Sequence, residues 1–232
     1  MGLRSALAVL AHPDDESFGL GAVLAHLVQG GAVAHSICFT RGEASSLGPS
    51  VGLGEVRARE LAAASAVLGL AGTELLDYPD GRLAEVPMPE LTEHVKAAAR
   101  FQRADLLVVF DESGITGHPD HRMATAAGVA AGADLGLPVL AWTISDAAAR
   151  RLNAEYGTRF VGRPDDEIDV VLEVDRGVQV RAIACHASQC ADNPVLWARL
   201  ALLGPHERLR WLRPPVDGAD GTCTAVGAAP KP

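Results

Sequence analysis

The stretch 6-ALAVLAHPDDESFGLGAVLAHLVQ-29 decides how the rest of the chain is read. Its first six residues are apolar without alternation, the pattern of a short strand covered on both faces. Residues 17–29 carry apolar side chains at helical spacing, and Gly30 and Gly31 then end the helix. Between strand and helix stand His12, Pro13, Asp14, Asp15 and Glu16. Three acids and an imidazole at the end of a buried strand are costly unless something pairs them, and a metal cation is one candidate.

The alternation continues along the chain. Strands are expected at 33–40, 74–78, 105–110, 137–144 and 167–174, and helices at 55–68, 89–101, about 120–131, 176–187 and 194–211. Residues 40–54 are rich in Gly and Ser and read as a surface loop. This pattern predicts an α/β fold: a single Rossmann-like domain over 1–212, with a mostly parallel sheet flanked by helices. Residues 213–232 lack periodicity, are rich in Gly, Pro and Ala, and read as a flexible C-terminal tail. Gly19 and Gly21 suggest a dinucleotide fingerprint, but Leu24 stands where its third glycine belongs, and the preceding acids repel a pyrophosphate.

A length of 232 residues suits one large core. The formal net charge of −9, with no dense cationic run, argues against nucleic acid and anionic membranes as partners. No apolar run approaches the roughly 20 residues of a membrane span, and no leader is visible, so a cytoplasmic protein without membrane insertion is expected. Cys38, Cys185, Cys190 and Cys223 form no CxxC pair and read as reduced thiols. Self-association as a homo-oligomer stays open.

In an open parallel sheet, ligands bind at the C-terminal ends of the strands. Two loops at such ends hold the chemistry: His12 to Glu16 after the first strand, and 117-GHPDH-121 after the strand at 105–110. His12, Asp15 and His121 make a two-histidine, one-carboxylate set of the kind that binds Zn²⁺ and leaves a position free. Asp14 is then free to face the attacking water, and Pro13 stiffens the turn. Two readings compete: Asp14, Asp15 or Ser17 as a plain helix cap, and an Fe(II) oxygenase site using the same donors. The spare Asp14 and the α/β alternation favour hydrolysis. His26, His35, His94 and His206 read as structural.

These motifs resemble the PIG-L (LmbE-like) family of metal-dependent de-N-acetylases, whose signatures stand here as AHPDDE at 11–16 and HPDH at 118–121. Further similar pieces are TRGEAS (40–45), VRARELAAASAVLG (56–69), YPDG (78–81) and HASQ (186–189). The resemblance implies zinc on His12, Asp15 and His121, with iron accepted by the same ligands in the cell. It implies Asp14 as general base and His118 as the oxyanion's partner, with Asp120 polarising or orienting the His118 ring. The implied substrate is a small N-acetylated amino sugar or glycoconjugate of the N-acetylglucosamine type, which loses its acetyl group. Arg57 and Asp80 stand at positions near the sugar, with Glu43 a weaker candidate; Arg57 pairing with Glu60 is the alternative. His186 lines the cleft or packs beneath it. Thr116 occupies a position that is tyrosine in some members. Two other outcomes stay open: an amidase on thiol–sugar conjugates of the mycothiol type, and a metal-keeping sugar-binding domain without catalysis.

Overall fold

The computed structural model describes residues 3–48 and 51–215. Its strands are β1 (Ser5–Leu10), β2 (Val33–Thr40), β3 (Gly72–Tyr78), β4 (Leu106–Phe110), β5 (Val139–Thr143), β6 (Val170–Glu173) and β7 (His206–Arg213). They form one sheet in the order β3-β2-β1-β4-β5-β7-β6. Every pairing from β3 to β5 is parallel, and β7 runs antiparallel to both β5 and β6. The fold is therefore the expected single α/β domain with a mostly parallel sheet.

β1 shows why the apolar run must be a strand. Ala6, Ala8 and Leu10 enter one core cluster, while Leu7 and Val9 enter the other. β4 divides in the same way, with Leu106, Val108 and Phe110 on one side and Leu107 and Val109 on the other. Two-residue periodicity inside an unbroken apolar run is what a doubly covered sheet requires. The first face is covered by α2 (Gly21–Gln29), α3 (Leu53–Leu68), α6 (Asp146–Tyr156), α7 (Gly177–Cys185) and α9 (Pro194–Leu203), and the second by α4 (Met88–Gln102) and α5 (Pro119–Leu135). The chain builds β1, β2 and β3 outward, then returns to place β4 on the other side of β1. The crevice above β1 and β4 is thus the topological switch point, and both suspect loops open into it.

Four local expectations change. The helix expected over 17–29 is broken into α1 (Asp15–Phe18) and α2 at Gly19 and Leu20. A Cβ on Gly19 would lie 2.4 Å from the Phe110 ring, so a glycine is needed where the chain crosses β4's last side chain. The helix expected over 176–187 becomes α7 and α8 (Ala187–Cys190), separated at His186. The helix expected over 194–211 stops at Leu203, because Gly204 has a positive φ of 57° and Pro205 has no N–H to continue it. The rest of that segment is β7, in which Glu207 and Leu209 are buried between more exposed neighbours. α6 is an element that the sequence reading lacks; Ser145 caps it by accepting the Ala148 N–H at 3.3 Å. Of the expected tail, Arg213 closes β7, and 216–232 lie outside the described residues. No helix among the described residues is long and apolar enough to cross a membrane.

Gly132 brings α5 down onto the sheet: a Cβ there would sit 2.4 Å from Val139 Cγ2. Gly132→Ala gains about 1 kcal/mol of helix propensity yet is expected to destabilise the fold by about 1–3 kcal/mol through overpacking. A denaturant midpoint that rises instead would overturn that account.

Candidate metal centre

Ala11 and His12 donate their backbone N–H groups to Asp15 Oδ2 at 3.0 and 2.9 Å, which holds the carboxylate against the end of β1. Asp14 has a φ of 143°, a strained value for a residue with a side chain. Several contacts fix it there. Its N–H donates to Glu16 Oε2 at 3.0 Å, and Arg57 Nη2 meets its Oδ2 at 2.9 Å. The same guanidinium donates to the Pro13 carbonyl through Nε and Nη2 and to the Gly42 carbonyl through Nη1. Arg57 is thus buried and fully engaged, and its partner is Asp14 rather than Glu60, which takes Ser188 instead.

His12 Nδ1 and His121 Nε2 lie 3.1 Å apart, and Asp15 Oδ1 lies 3.1 Å from the same His121 nitrogen. Asp15 Oδ2 is 3.8 Å from His12 Nδ1. The far sides of the two rings fix which nitrogens are bare. His121 Nδ1 stands 3.2 Å from the Gly114 carbonyl, which only accepts, so the proton belongs on Nδ1. His12 Nε2 faces Asp80 Oδ1 at 3.1 Å and Asp120 Oδ2 at 3.4 Å, so its proton sits there. With His12 in its neutral form, its Nδ1 lone pair, that of His121 Nε2 and the Asp15 carboxylate are close neighbours. Ligands at about 2.0–2.1 Å from a tetrahedral ion lie about 3.3 Å from one another. The two edges that meet at His121 Nε2 lie close to that value and the third, at 3.8 Å, is longer, so this donor set is near the geometry a metal ion would draw together.

The field agrees. Burial disfavours a charged His12 ring, but Asp120, Asp80 and Asp15 outweigh it and push the pKa up to about 10. Burial also opposes an ionised Asp15, yet the two histidines draw its pKa below the usual carboxylate range. Burial raises the Asp14 carboxyl, and Arg57 restrains that rise. The carboxylates around His12 would favour any cation placed among them.

His118 caps α5: its Nδ1 accepts the Asp120 N–H at 3.2 Å, leaving Nε2 as its donor. Burial lowers its pKa, and the neighbouring His12 and His121 lower it further. Its ring lies 4.7 Å from that of His12 and 4.9 Å from that of His121. Donor atoms of His12, His118 and His121 also lie within 4.8 Å of one another, as do those of His12, Asp80 and Asp120. In the first group His118 keeps one of its two nitrogens unengaged, and in the second both oxygens of Asp120 are engaged. His118 Nδ1 carries the Asp120 N–H, and the Asp120 carboxylate accepts Gly81 N–H at 2.7 Å and Leu83 N–H at 3.1 Å. Asp15 Oδ1, 3.1 Å from His121 Nε2, is a further donor beside these groups.

The geometry refines the role expected of Asp120, whose charge also reaches His118. The Asp120 carboxylate is directed at His12 and at the turn 81–83, and only its backbone N–H meets His118. The side chain of a first-turn residue points away from the cap, so one residue touches both histidines by different groups. Two further candidates stand off the wall. Glu43 accepts the Asp80 N–H at 2.9 Å and so holds the Asp80 loop. His186 is fully buried, its Nε2 2.6 Å from Glu16 Oε1, with Nδ1 lacking a partner among the described residues. It packs beneath the centre. Thr116 lies exposed on the rim, after Ile115, which a positive φ of 64° folds back into the core.

Burial lowers the His186 pKa, but Glu16 outweighs it and the net shift is upward from 6.5. A raised folded pKa means that the stabilisation is complete below about 6.5 and fades as pH climbs through the folded value. His186→Gln is expected to flatten that part of the stability–pH curve; parallel curves for the two proteins would refute the pairing.

The cleft has a volume of about 500 Å³. Besides His12, Asp14, Asp15, His118 and His121, its wall includes Ser45, Ser46, Asp80, Gln189 and Asn193, and the apolar Phe18, Phe110, Trp142, Phe160 and Leu196. The sequence reading missed this apolar side, whose members come from separate elements and share no motif.

Two histidines and a carboxylate beside a second, arginine-held aspartate at the switch point of an α/β sheet are groups suited to hydrolytic chemistry. The chain belongs to the PIG-L family: the family described as GlcNAc-PI de-N-acetylase matches residues 7–132. A relative from Mycolicibacterium vanbaalenii, 1D-myo-inositol 2-acetamido-2-deoxy-alpha-D-glucopyranoside deacetylase, is 31% identical over 237 residues, covering 81% of each chain. Among solved structures, the N,N'-diacetylchitobiose deacetylase of Pyrococcus horikoshii superposes with a TM-score of 0.69 at 18% identity, over 94% of this chain and 88% of that one. GalB, the 4-carboxy-2-hydroxymuconate hydratase of Pseudomonas putida KT2440, superposes with a TM-score of 0.68 at 17% identity, over 92% and 98%. The fold is thus shared by deacetylases and a hydratase, and the site must decide the chemistry.

Proposed function

We propose that this chain is a zinc-dependent deacetylase that removes the acetyl group from an N-acetylglucosamine-type amide. The observation that carries the reading is the convergence of His12 Nδ1, His121 Nε2 and the Asp15 carboxylate at ligand-edge distances, with Asp14 held beside them by Arg57. The deacetylase named among the relatives gives the substrate class. The same ligands accept Fe²⁺.

Bound zinc supplies Lewis acidity, which makes water a nucleophile near neutral pH and polarises the acetamide oxygen. Asp14 takes the proton of the attacking water. Arg57 keeps that carboxylate aimed while leaving its second oxygen free. His118, with Nε2 as donor, meets the oxyanion that develops on the acetamide; one such donor is worth about 10²–10³ in turnover. Asp14, now protonated, passes its proton to the leaving nitrogen, and acetate and a free amine result. Asp80 and Asp120 hold His12 by its Nε2–H. Ser45, Ser46, Asp80 and Asn193 offer polar groups to sugar hydroxyls on the cleft wall.

Metal analysis of the purified chain, joined to acetate release from a panel of N-acetylated amino sugars, tests this reading. A metal-loaded chain that frees no acetate from any of them overturns it. Panel members with longer acyl groups separate out the mycothiol-type amidase, which would draw on the same residues. Arg57→Lys keeps the charge but loses the fork that spans Pro13, Gly42 and Asp14. Its turnover is expected to fall about 10–100-fold with metal content unchanged.

A further inference from the structure

Arg199 has no part in the chemistry above, yet it lines the same cleft. It is only 9% exposed. Its one hydrogen bond among the described residues runs from Nη2 to the Phe18 carbonyl, at the end of the helix that carries Asp15. Its Nε is buried without a partner, and no carboxylate lies within ion-pair distance of it among the described residues. The acid whose charge acts on it most, Glu207, is already spent: Oε1 takes Arg176 and Oε2 takes Trp142 Nε1 at 2.7 Å. The one buried carboxylate whose charge acts most on Arg199 is thus already paired with the half-buried Arg176. Burial lowers the Arg199 pKa, but a guanidinium remains a cation at neutral pH.

Glu207, Asp14 and Asp15 favour the charge only from a distance, and a buried cation without an ion-pair contact is expensive, so packing alone does not call for one. The Arg199 Cζ lies 5.1 Å from the Trp142 ring centroid, Trp142 packs on Phe110 at 5.4 Å, and Phe110 packs on His121 at 4.9 Å. An aromatic wall therefore leads from the metal centre to a cation with spare donors. We propose that this side of the cleft binds an anionic group, a carboxylate or a phosphate, borne on an apolar stem of the substrate. The proposal deepens the deacetylase reading by saying what else the amide substrate carries.

Calorimetry on the metal-loaded protein tests it with two probe pairs: 3-phenylpropionate against 3-phenylpropan-1-ol, and phenyl phosphate against benzyl alcohol. At least one anion is expected to bind tenfold or more tightly than its neutral partner, the margin of a charge-assisted hydrogen bond. Which pair shows the margin tells carboxylate from phosphate. In Arg199→Met, with metal content unchanged, the margin is expected to shrink below about twofold. If that variant does not fold, Arg199→Lys carries the test, and its margin must drop at least threefold because the planar fork is lost. No margin in the parent protein overturns the proposal. So does a margin that either folded variant leaves intact, because the anion then sits on the metal. Acetate release is read separately: a chain that frees no acetate but shows the Arg199-dependent margin keeps this subsite and loses the deacetylase reading.

Discussion

Asp14→Asn is expected to keep its metal and lose about 10³–10⁴ of turnover, toward the upper range for general acid–base catalysis. Asparagine keeps the shape and can still meet Arg57, but it cannot accept a proton from water. The ligand triad does not include this side chain, so metal per chain should equal that of the parent protein. The burial that raises the Asp14 pKa also brings its basicity nearer to working pH, and Arg57 keeps it from rising so far that the acid form dominates. Turnover at the parent level, with full metal, would remove Asp14 as the base. Loss of metal along with activity would instead move it into the ligand set.

The second large effect is on metal itself. His121→Ala removes the nitrogen that lies 3.1 Å from both His12 Nδ1 and Asp15 Oδ1. Affinity should fall by well over a hundredfold, since groups that merely orient a metal-binding side chain already account for about 10–100-fold. Asp120→Asn supplies that smaller comparison, because its carboxylate faces His12 Nε2 and not the ion position. Dialysis against a chelator should abolish turnover in the parent protein, and restored zinc should restore it. Chelation should also lower the melting temperature, since an ion bound only by the native state stabilises by about 2.7 kcal/mol when present at a hundred times its Kd. Unchanged metal stoichiometry in His121→Ala would break the triad.

The ligand motif was legible because its parts are local. Asp15 is three residues from His12, and β1 had to end just before them because the apolar run ends there. The position of β4 was equally plain, from a run buried on both faces. β7 was not: 206-HERLRWLR-213 mixes arginine and apolar residues in a way that suits a helix face or an edge-like strand, and only the glycine–proline pair before it marks the break. Arg57 was legible as a residue near the cleft, which it lines, but its hold on the Asp14 turn was not. Its true neighbours, Pro13 and Asp14, lie more than forty residues away, and no spacing rule reports such a contact.

By itself the sequence determined the α/β class, the parallel centre of the sheet and the two loops whose histidines and acids meet in the cleft. All of these follow from periodicity and from residues within one turn of each other. Only the tertiary structure decided which nitrogens face one another, that Asp120 holds His12 with its carboxylate, and that Arg199, 181 positions from the Phe18 carbonyl it meets, lines the cleft without an acid in ion-pair contact among the described residues. Lone-pair direction and charge balance depend on how separate elements are packed, and that is set by the core, not by neighbours along the chain.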